Sequence, residues 1–457
     1  MTEILYRSTN NKSKPVRFKE AILKGQAPDY GLYMPAFIPK LTRDELKSFK
    51  NKKYHEIASI ILKKFLENEI EAEELDKFAE DSYNFEVPIE KTGKNIFLMR
   101  LDRGPTASFK DFAARMMARL MRHFAEEEKK DLSVLAATSG DTGSAVASAF
   151  SDMENVKVII LFPEKEVSLT QRKQMTTLGK NIKVFAVRGT FDDCQSLVKR
   201  AFNDGDLKKL NLTSANSINF GRLLPQTIYY FYAYSRLNAK KIIFSVPSGN
   251  FGNLVAGVIG REMGLPAEKF IVAVNENDEF PRFLETGIYK PVQPSKKCSS
   301  NAMNVGHPSN LARLIDLYGG QLYDERNSKG EITKKGILNK LPDMERLRKD
   351  FASYSITDGE VNATIKKFYS RYKKLLEPHG AVAWNALERY MKQNKENKSS
   401  AAVCFETADP AKFPEKIKKI LGVEPKIPKS MSGLQNKKEN FEVISNDYFK
   451  FKEMLLK

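Results

Sequence analysis

One lysine in this chain stands where a lysine can do chemistry. In LDRGPTASFKDFAARMM the Gly-Pro pair is a turn signal, and apolar residues recur at helical spacing from Phe109 onward. Lys110 therefore falls in the first turn of a predicted helix, which we expect Thr106 or Ser108 to cap. The helix dipole and desolvation would both lower the pKa of this lysine and make its amine a nucleophile or a Schiff-base former. A solvated surface lysine is the simpler alternative for this stretch taken alone.

A short glycine loop follows a predicted buried strand in SVPSGNFGN. Gly249 and Gly252 bracket Asn250 and Phe251, and Asn253 opens an apolar helix. Glycine lets backbone N–H groups approach an anion closely, and the positive end of the next helix points at that anion. Neither the Walker pattern nor G-x-G-x-x-G is present, so the loop predicts a phosphate site of another kind. An ordinary tight turn is the alternative.

A second loop of the same construction lies in ATSGDTGSA. Ser139, Gly140, Asp141 and Thr142 stand between a strand end and the start of a helix. Their hydroxyl and N–H groups suit a second anion, such as a substrate carboxylate, and the alternative is a capped helix start. Both loops fall at carboxyl ends of predicted strands, where α/β proteins bind ligands.

Together, a lysine at a helix start and two anion loops are the components of a pyridoxal phosphate site. The lysine forms the Schiff base, one loop holds the 5′-phosphate and the other holds the substrate carboxylate. In FETADPAKF, Thr407 ends a late buried strand, and its hydroxyl can face the pyridine nitrogen. A hydroxyl would not keep that nitrogen protonated, which suits elimination and replacement at β and γ carbons. Alternatively, Thr407 only caps the PAKF helix.

Five motifs in one order resemble a known family. GPTASFKDF, TSGDTGSA, PSGNFGN, EPHGAVA and ETADPAKF, with YGLYMP and VGHPSN, are similar to the threonine synthases of the pyridoxal phosphate-dependent β-family (fold type II) over nearly the whole chain. The resemblance implies that Lys110 is the Schiff-base lysine and Thr407 the partner of the pyridine nitrogen. It further implies that the cofactor phosphate is bound by Gly249, Asn250, Phe251, Gly252 and Asn253. The residues that it implies for substrate binding are Thr106, Ser139, Gly140, Asp141 and Thr142.

The same resemblance implies a reaction. O-phospho-L-homoserine and water would give L-threonine and phosphate, by γ-elimination and β-addition of water, as the last step of threonine biosynthesis. A related phospho-amino-acid lyase or a serine/threonine dehydratase of this fold is the alternative. One departure stands before Gly-Pro-Thr, where many relatives have Phe-His and this chain has Asp102-Arg103. Arg103 is either an extra phosphate contact or half of an ordinary ion pair with Asp102 or a neighbour.

Composition and charge limit the classes of ligand and partner that this protein is expected to bind. The 457 residues suffice for two or three domains, and the formal charge of +18 comes from lysines scattered beside acids. Without an aromatic-interleaved RNA-binding signature, this charge favours a phosphorylated small substrate over nucleic acid, although a nucleotide- or nucleic-acid-binding protein is the alternative class. Three separate cysteines and four histidines without His-x-x-x-His spacing predict no metal site. No stretch has the length of a membrane span or a signal peptide's apolar region, so we expect a cytoplasmic protein, a monomer by family resemblance.

Strands and helices alternate along the chain from residue 96. This predicts an α/β fold of the type II class, with a parallel-sheet two-domain core and an N-terminal, mostly helical domain. We expect the helical domain over 1–90, a smaller α/β domain with Lys110 and SGDTG over 91–235, and a larger one with GNFGN and Thr407 over 236–457. Near the start of the chain, T-R-D-E predicts a capping box at Thr42, and an amphipathic helical stretch follows around Tyr54–Leu66. Further local expectations are a loop over 324–335, helical spacing over 337–347 and one long helix in GRLLPQTIYYFYAYSRL.

Overall fold

The computed structural model describes residues 3–179, 181–327, 330–394 and 400–457. Its strands are β1 (Tyr6–Ser8), β2 (Tyr33–Pro35), β3 (Ile89–Gly93), β4 (Ile96–Arg100), β5 (Leu132–Ala137), β6 (Val156–Pro163), β7 (Ile182–Arg188), β8 (Leu212–Ser214), β9 (Ile242–Pro247), β10 (Ala267–Val274), β11 (Gln321–Arg326), β12 (Ile332–Lys340), β13 (Phe351–Ser355), β14 (Ala401–Glu406) and β15 (Glu442–Ser445).

The helices run between and around these strands. They are α1 (Phe18–Lys24), α2 (Arg43–Ser48), α3 (Tyr54–Leu66), α4 (Ala72–Ser82), α5 (Lys110–Glu127), α6 (Asp141–Phe150), α7 (Leu169–Thr176), α8 (Phe191–Asn203), α9 (Phe220–Leu223), α10 (Thr227–Arg236), α11 (Gly252–Glu262), α12 (Glu279–Thr286), α13 (Leu311–Leu317), α14 (Met344–Asp350), α15 (Asp358–Tyr372), α16 (Pro378–Gln393), α17 (Pro414–Leu421) and α18 (Tyr448–Leu456).

Two sheets form the core. One has the strand order β13-β10-β9-β14-β4-β3, and the other has the order β15-β7-β6-β5-β8. Every neighbouring pair is parallel except β3 and β4, which are antiparallel. The strands β5, β9 and β14 are buried along their whole length, as expected for parallel strands with helices on both faces. The predicted α/β fold with parallel sheets is confirmed.

Each sheet draws strands from both sides of the predicted boundary at residue 235. β4 pairs with β14 in the six-stranded sheet, although it lies early in the chain. β15, near the end of the chain, pairs with β7 in the five-stranded sheet. The segment before β3 contributes four helices and the small β1–β2 pair, and its apolar residues share one hydrophobic core with the sheets. The three-domain division stays a prediction.

Several local expectations are confirmed. Thr42 forms the capping box that T-R-D-E predicts, with its hydroxyl accepting from the backbone N–H of Glu45. The helix predicted over Tyr54–Leu66 has those bounds, and the Gly-Pro turn closes with Ala107 N–H donating to Gly104 O at 3.0 Å.

Other local expectations are wrong. Within the predicted loop over 324–335, residues 324–326 lie in β11 and residues 332–335 lie in β12. Among the described residues the loop is therefore confined to 327, 330 and 331, and residues 328 and 329 lie outside the described part. Residues 337–340 belong to β12 rather than to a helix, because apolar residues in so short a stretch fit either period. The last part of that predicted stretch, residues 344–347, does lie in a helix, α14. The long helix around GRLLPQ is divided into α9, a 3₁₀ turn at residues 224–226 and α10, since Pro225 lacks the N–H that an α-helix needs there.

Candidate active site

The strand ends converge on one cavity of about 480 Å³. β4, β14 and β9 are neighbours in the six-stranded sheet, and the segments that follow them reach this cavity together with the segment that follows β5. Most of the predicted site residues line it, namely Lys110, Ser139, Asp141, Thr142, Gly249, Asn250, Phe251, Gly252, Asn253 and Thr407. Thr106 and Gly140 are not among the lining residues.

Lys110 is held beside Thr407 by backbone pairing. Phe109 N–H donates to Thr407 O at 2.8 Å, and Asp409 N–H donates to Ala107 O at 3.0 Å. Ala107 adopts φ +55°, which bends the chain into this antiparallel contact. The pairing fixes the first turn of α5 against the end of β14, so the two predicted functional groups share one wall of the cavity.

The expected cap of α5 is wrong. The N-cap residue is Phe109, and no side chain caps the helix. The Thr106 hydroxyl and backbone N–H both donate to the carboxylate of Asp111, at 2.6 and 2.9 Å. Because Asp111 accepts both bonds, Thr106 acts as a donor here and does not cap the helix. The backbone N–H groups of Asp111 and Phe112 donate instead to the carbonyls of Ser108 and Phe109, at 3.1 and 3.2 Å. Ser108 is buried and its hydroxyl has no partner among the described residues.

Lys110 is almost buried, and burial is the largest cause that lowers its pKa, to about 8. Asp141 opposes this shift from 3.9 Å, and the buried Lys412 reinforces it. Lys412 Nζ itself lies 2.7 Å from the Asp141 carboxylate, and Gln171 Nε2 donates to the same carboxylate oxygen at 2.8 Å. Asp141 thus bridges two lysines, which together outweigh its desolvation and lower its pKa. A fraction of Lys110 is therefore neutral near neutral pH, as an amine nucleophile requires.

The glycine loop is closely packed from behind. A Cβ at Gly249 would lie 2.5 Å from the carbonyl oxygen of Ala302, so only glycine fits. Phe251 adopts φ +63° immediately before α11 begins, which turns the loop into the helix N-terminus. Asn250 ties the loop to its surroundings, because its amide donates to Ser217 Oγ at 2.6 Å and its oxygen accepts from Ser309 N–H at 2.6 Å.

Two buried donors beside this loop lack an acceptor among the described residues. Asn253 accepts from the hydroxyls of Tyr229 and Tyr230, each at 2.7 Å, and its Nδ2 has no partner. Arg222 is buried, its Nε has no partner, and burial lowers its pKa to about 10. Buried donors are almost always satisfied, so their presence on a cavity wall indicates a bound acceptor. An aldehyde cofactor that carries a phosphate fits this cavity. The glycine loop and the donors of Asn253 and Arg222 can bind the phosphate, and the amine of Lys110 can react with the aldehyde.

Sequence reasoning missed Arg222 and Lys412. Arg222 lies in α9 within an apolar helical pattern, and Lys412 lies in a lysine-rich stretch that is typical of a solvated surface. Lys412 lies within the motif ETADPAKF, but nothing in the sequence of that motif indicates a role for it. Its complete burial and its two bonds, to Asp141 and to the carbonyl of Thr106 at 2.9 Å, are visible only in the fold.

Thr407 contacts a buried carboxylate rather than capping the next turn. Its Oγ1 lies 3.4 Å from Glu377 Oε1, whereas Asp409 caps the PAKF turn by accepting from Ala411 N–H at 2.9 Å. Glu377 also accepts from the backbone N–H groups of His379 and Gly380 at the start of α16, at 2.7 and 2.9 Å. The capping alternative for Thr407 is therefore wrong.

Arg103 forms ordinary ion pairs, which is the second of the two roles that the sequence left open for it. Its guanidinium lies 3.7 Å from Asp409 and 3.9 Å from Asp102, and the residue does not line the cavity. The Asp102 carboxylate is bound by Arg100 from the preceding strand. The departure at Asp102-Arg103 is thus a charged cluster next to the site.

Two further kinds of structure are absent from the described residues. These residues contain no cluster of three or more His, Cys, Asp or Glu side chains arranged to hold a metal ion. Among the same residues no helix has the length and apolar character that crossing a membrane requires.

Comparisons with known proteins relate the whole chain to one family. Residues 83–407 match the family described as pyridoxal-phosphate dependent enzyme, residues 5–83 match the threonine synthase N terminus and residues 380–455 match the threonine synthase C-terminal region. Threonine synthase from Buchnera aphidicola of Acyrthosiphon pisum is 38% identical over 432 residues, covering 93% of each chain. Threonine synthase from Escherichia coli K12 is 36% identical over 424 residues, covering 92% of each chain.

Solved structures agree. The pyridoxal phosphate-bound threonine synthase from Brucella melitensis superimposes with a TM-score of 0.90 at 33% identity, covering 99% of this chain and 98% of that one. The yeast threonine synthase gives 0.89 at 32% identity with the same coverage. Threonine deaminase from Solanum lycopersicum, at 18% identity and 0.55, shares only the fold. The chain belongs to the threonine synthase family of fold type II, pyridoxal phosphate-dependent enzymes.

Proposed function

We propose that this protein converts O-phospho-L-homoserine and water to L-threonine and phosphate. The observation that supports this most directly is the relation to threonine synthases along nearly the whole chain, including both terminal regions of the family. The cavity with Lys110 at its wall supplies the chemistry that such a reaction needs.

The residues that would hold pyridoxal phosphate are the hydrogen-bond donors on the cavity wall beside the glycine loop. Backbone N–H groups of Gly249, Asn250 and Gly252, the Asn253 amide and the Arg222 guanidinium would bind its phosphate. The Lys110 amine would attach the cofactor. When bound, pyridoxal phosphate supplies the electron sink that stabilises negative charge on the carbons of the substrate.

Lys110 is the proposed general base and acid. With its pKa at about 8, Nζ is able to take the proton from the substrate α carbon and return it later in the cycle. Asp141 orients this amine from 3.9 Å, while its own charge is largely engaged by Lys412. Asp141 thus positions Lys110 more than it contacts the substrate.

The substrate carboxylate is assigned to the loop that follows β5. Ser139 and Thr142 line the cavity with hydroxyl groups, at the N-terminus of α6. Gly140 shapes the loop, because it adopts φ +130° and a Cβ there would meet the Gln171 amide at 2.5 Å. Thr106 contributes indirectly, through its bonds to Asp111 and Lys412.

Turnover of O-phospho-L-homoserine tests the proposal. We expect threonine and phosphate in equal amounts from the cofactor-loaded protein. Phosphate accompanied only by a keto acid would indicate a phospho-amino-acid lyase, and deamination of free serine or threonine would indicate a dehydratase. A colourless protein that takes up no pyridoxal phosphate would indicate a binding protein instead.

We also propose a cytoplasmic monomer that divides into the three domains 1–90, 91–235 and 236–457. The absence of a membrane-spanning helix among the described residues agrees with the first part. Size-exclusion chromatography with light scattering tests the second. Limited proteolysis tests the third, and the expected result is cleavage in the connections beside these boundaries, before β3 and between α10 and β9.

A further inference from the structure

Three cations that the proposed chemistry leaves unused face the same cavity. Lys199 lies on α8, Arg326 on β11 and Lys335 on β12, and all three line the cavity that contains Lys110. Within the described part of the chain, none of them has a carboxylate oxygen within ion-pair distance. Three neighbouring cations without ion-pair partners repel one another, so an anion placed between them would be strongly favoured.

Two acids that line the cavity, Asp324 and Asp192, act on the charge of Lys199 without an ion-pair contact, and Asp324 is engaged elsewhere. One oxygen of Asp324 accepts from Gly336 N–H at 2.9 Å and lies 2.8 Å from His307 Nε2. His307 Nδ1 lies in turn 2.7 Å from the hydroxyl of Tyr289. Asp324 thus braces the two strands against the VGHPSN segment. It moderates the repulsion among the three cations without pairing with any of them.

Arg326 is built into the wall rather than free in solvent. Its guanidinium lies 4.5 Å from the centre of the Tyr30 ring, and Nη1 donates to the Gly330 carbonyl at 2.7 Å. Its Nε is buried and has no acceptor among the described residues. A fixed guanidinium with unused donors suits an anion that accepts two bonds at once, as a phosphate monoester does.

Lys199 and Lys335 add mobile charge to this fixed donor. Both residues are exposed, yet both face the cavity. Burial of its amine lowers the pKa of Lys199, and the charges of Arg326 and Lys335 add to this effect. The three side chains thus line the cavity from α8 and the β11–β12 pair, whereas the glycine loop lines it between β9 and α11.

We propose that Lys199, Arg326 and Lys335 form the subsite for the γ-phosphate of the substrate. The ligand class is a phosphate monoester on a short amino-acid chain, and the same groups would bind the inorganic phosphate that leaves. This inference rests on the proposed function, because it assigns the part of the substrate that distinguishes a threonine synthase from a dehydratase. The glycine loop would hold the phosphate of the cofactor, and these three cations would hold the phosphate of the substrate.

Steady-state kinetics with matched variants test the subsite. We expect Lys199→Gln, Arg326→Gln and Lys335→Gln each to raise the KM for O-phospho-L-homoserine about tenfold or more. The matched control is Lys334→Gln, since Lys334 is the exposed neighbour of Lys335 on β12 and does not line the cavity. Its KM should stay within about twofold of the wild type. Inhibition by L-homoserine, which lacks the phosphate, should change little in all four variants.

Calorimetry keeps the two proposals distinguishable. Inorganic phosphate is titrated into the cofactor-loaded protein, so that the glycine loop is already occupied. We expect binding that the Lys199→Gln/Lys335→Gln double variant weakens at least tenfold and Lys334→Gln leaves unchanged. Equal phosphate affinity in the double variant and the wild type overturns the subsite, even if threonine is formed. Loss of phosphate binding in the double variant supports the subsite, even if O-phospho-L-homoserine is not a substrate.

Discussion

Two walls of one cavity are built in different ways. The strand-end wall consists of the segments after β4, β5, β9 and β14, with Lys110, the two loops and Thr407. The ribbon wall consists of β11, β12 and the facing part of α8, with Lys199, Arg326 and Lys335. The first is buried and packed so closely that glycines are required, whereas β12 has no buried residue along its length.

This difference in construction assigns catalysis to the strand-end wall and recognition of the substrate phosphate to the ribbon wall. On the strand-end wall, backbone groups and one buried lysine are held at fixed positions, as pre-organised catalysis requires. On the ribbon wall, cationic side chains line the cavity from α8, β11 and β12 and would select a phosphorylated ligand by charge. Substitutions on the first wall should therefore remove the cofactor or the turnover, and those on the second should raise KM.

Lys110→Ala should have the largest effect. It removes the only proposed amine for cofactor attachment and proton transfer, so we expect turnover to fall by a factor on the order of 10³ or more. Visible absorbance from the attached cofactor should disappear, and far-ultraviolet circular dichroism should be unchanged. Arg103→Gln is the matched control outside the cavity. Full turnover by Lys110→Ala would break the assignment of chemistry to the strand-end wall.

Lys412→Met probes the electrostatics of the same wall. Without Lys412, Asp141 would face Lys110 alone, so the pKa of Lys110 should rise above about 8. Attachment of pyridoxal phosphate needs the neutral amine, and its rate in the cofactor-free variant should reach half-maximum at a higher pH than in the wild type. An unchanged pH profile would show that Lys412 has only a structural role. Breaking this buried pair should also lower stability by about 3 kcal/mol.

The pH dependence of stability has a definite sign in the cofactor-free wild type. Lys110 titrates near 8 when folded and near its ordinary value of 10.5 when unfolded, so the unfolded state binds more protons between these values. Stability due to this group should therefore rise from pH 8 to 10.5 and be constant below. The rise should be absent in Lys110→Met, as urea titrations at each pH would measure.

Gly249→Ala should have the next largest effect. Its Cβ would lie 2.5 Å from Ala302 O and 2.9 Å from Met303 Cα, both backbone atoms, so the loop must shift. We expect the affinity for pyridoxal phosphate to fall by about 2 kcal/mol, roughly thirtyfold. Gly252→Ala is the comparison, because the nearest atom to its Cβ would be Ser217 Cβ at 3.4 Å, an ordinary contact. Equal affinities in the two variants would contradict the packing argument.

The strand-end wall was largely predictable from the sequence, and the ribbon wall was not. Buried parallel strands are short apolar runs, and the loops that follow them are punctuated by Gly, Ser and Thr, so GNFGN and SGDTG could be located. Residues 324–335 are polar and lack periodicity, since neither face of β12 is buried, and such a stretch predicts a loop rather than a strand.

Long-range pairing limited the prediction in another way. Lys412 reaches Asp141 from 271 positions away, and β15 joins β7 from the other end of the chain. Local patterns contain no signal for such contacts, which depend on how the sheets fold together. For the same reason the roles of Arg222 and Glu377 became visible only from the burial of their side chains.

Thr407 offers the smallest and most discriminating test on the strand-end wall. Thr407→Val keeps the shape of the side chain but loses the hydroxyl, so the affinity for pyridoxal phosphate should fall by about one hydrogen bond, roughly 1 kcal/mol or fivefold. The fold should tolerate this change, because Glu377 keeps its bonds from the N–H groups of His379 and Gly380. Thr407→Ser retains the hydroxyl and should keep nearly wild-type affinity, measured by fluorescence titration of the cofactor into the cofactor-free protein.

Thr407→Asp should retain the cofactor but lose threonine formation by more than about tenfold, because a carboxylate would favour a protonated ring. If the Val and Asp variants both behave as wild type, Thr407 belongs to the packing of β14 and not to the site.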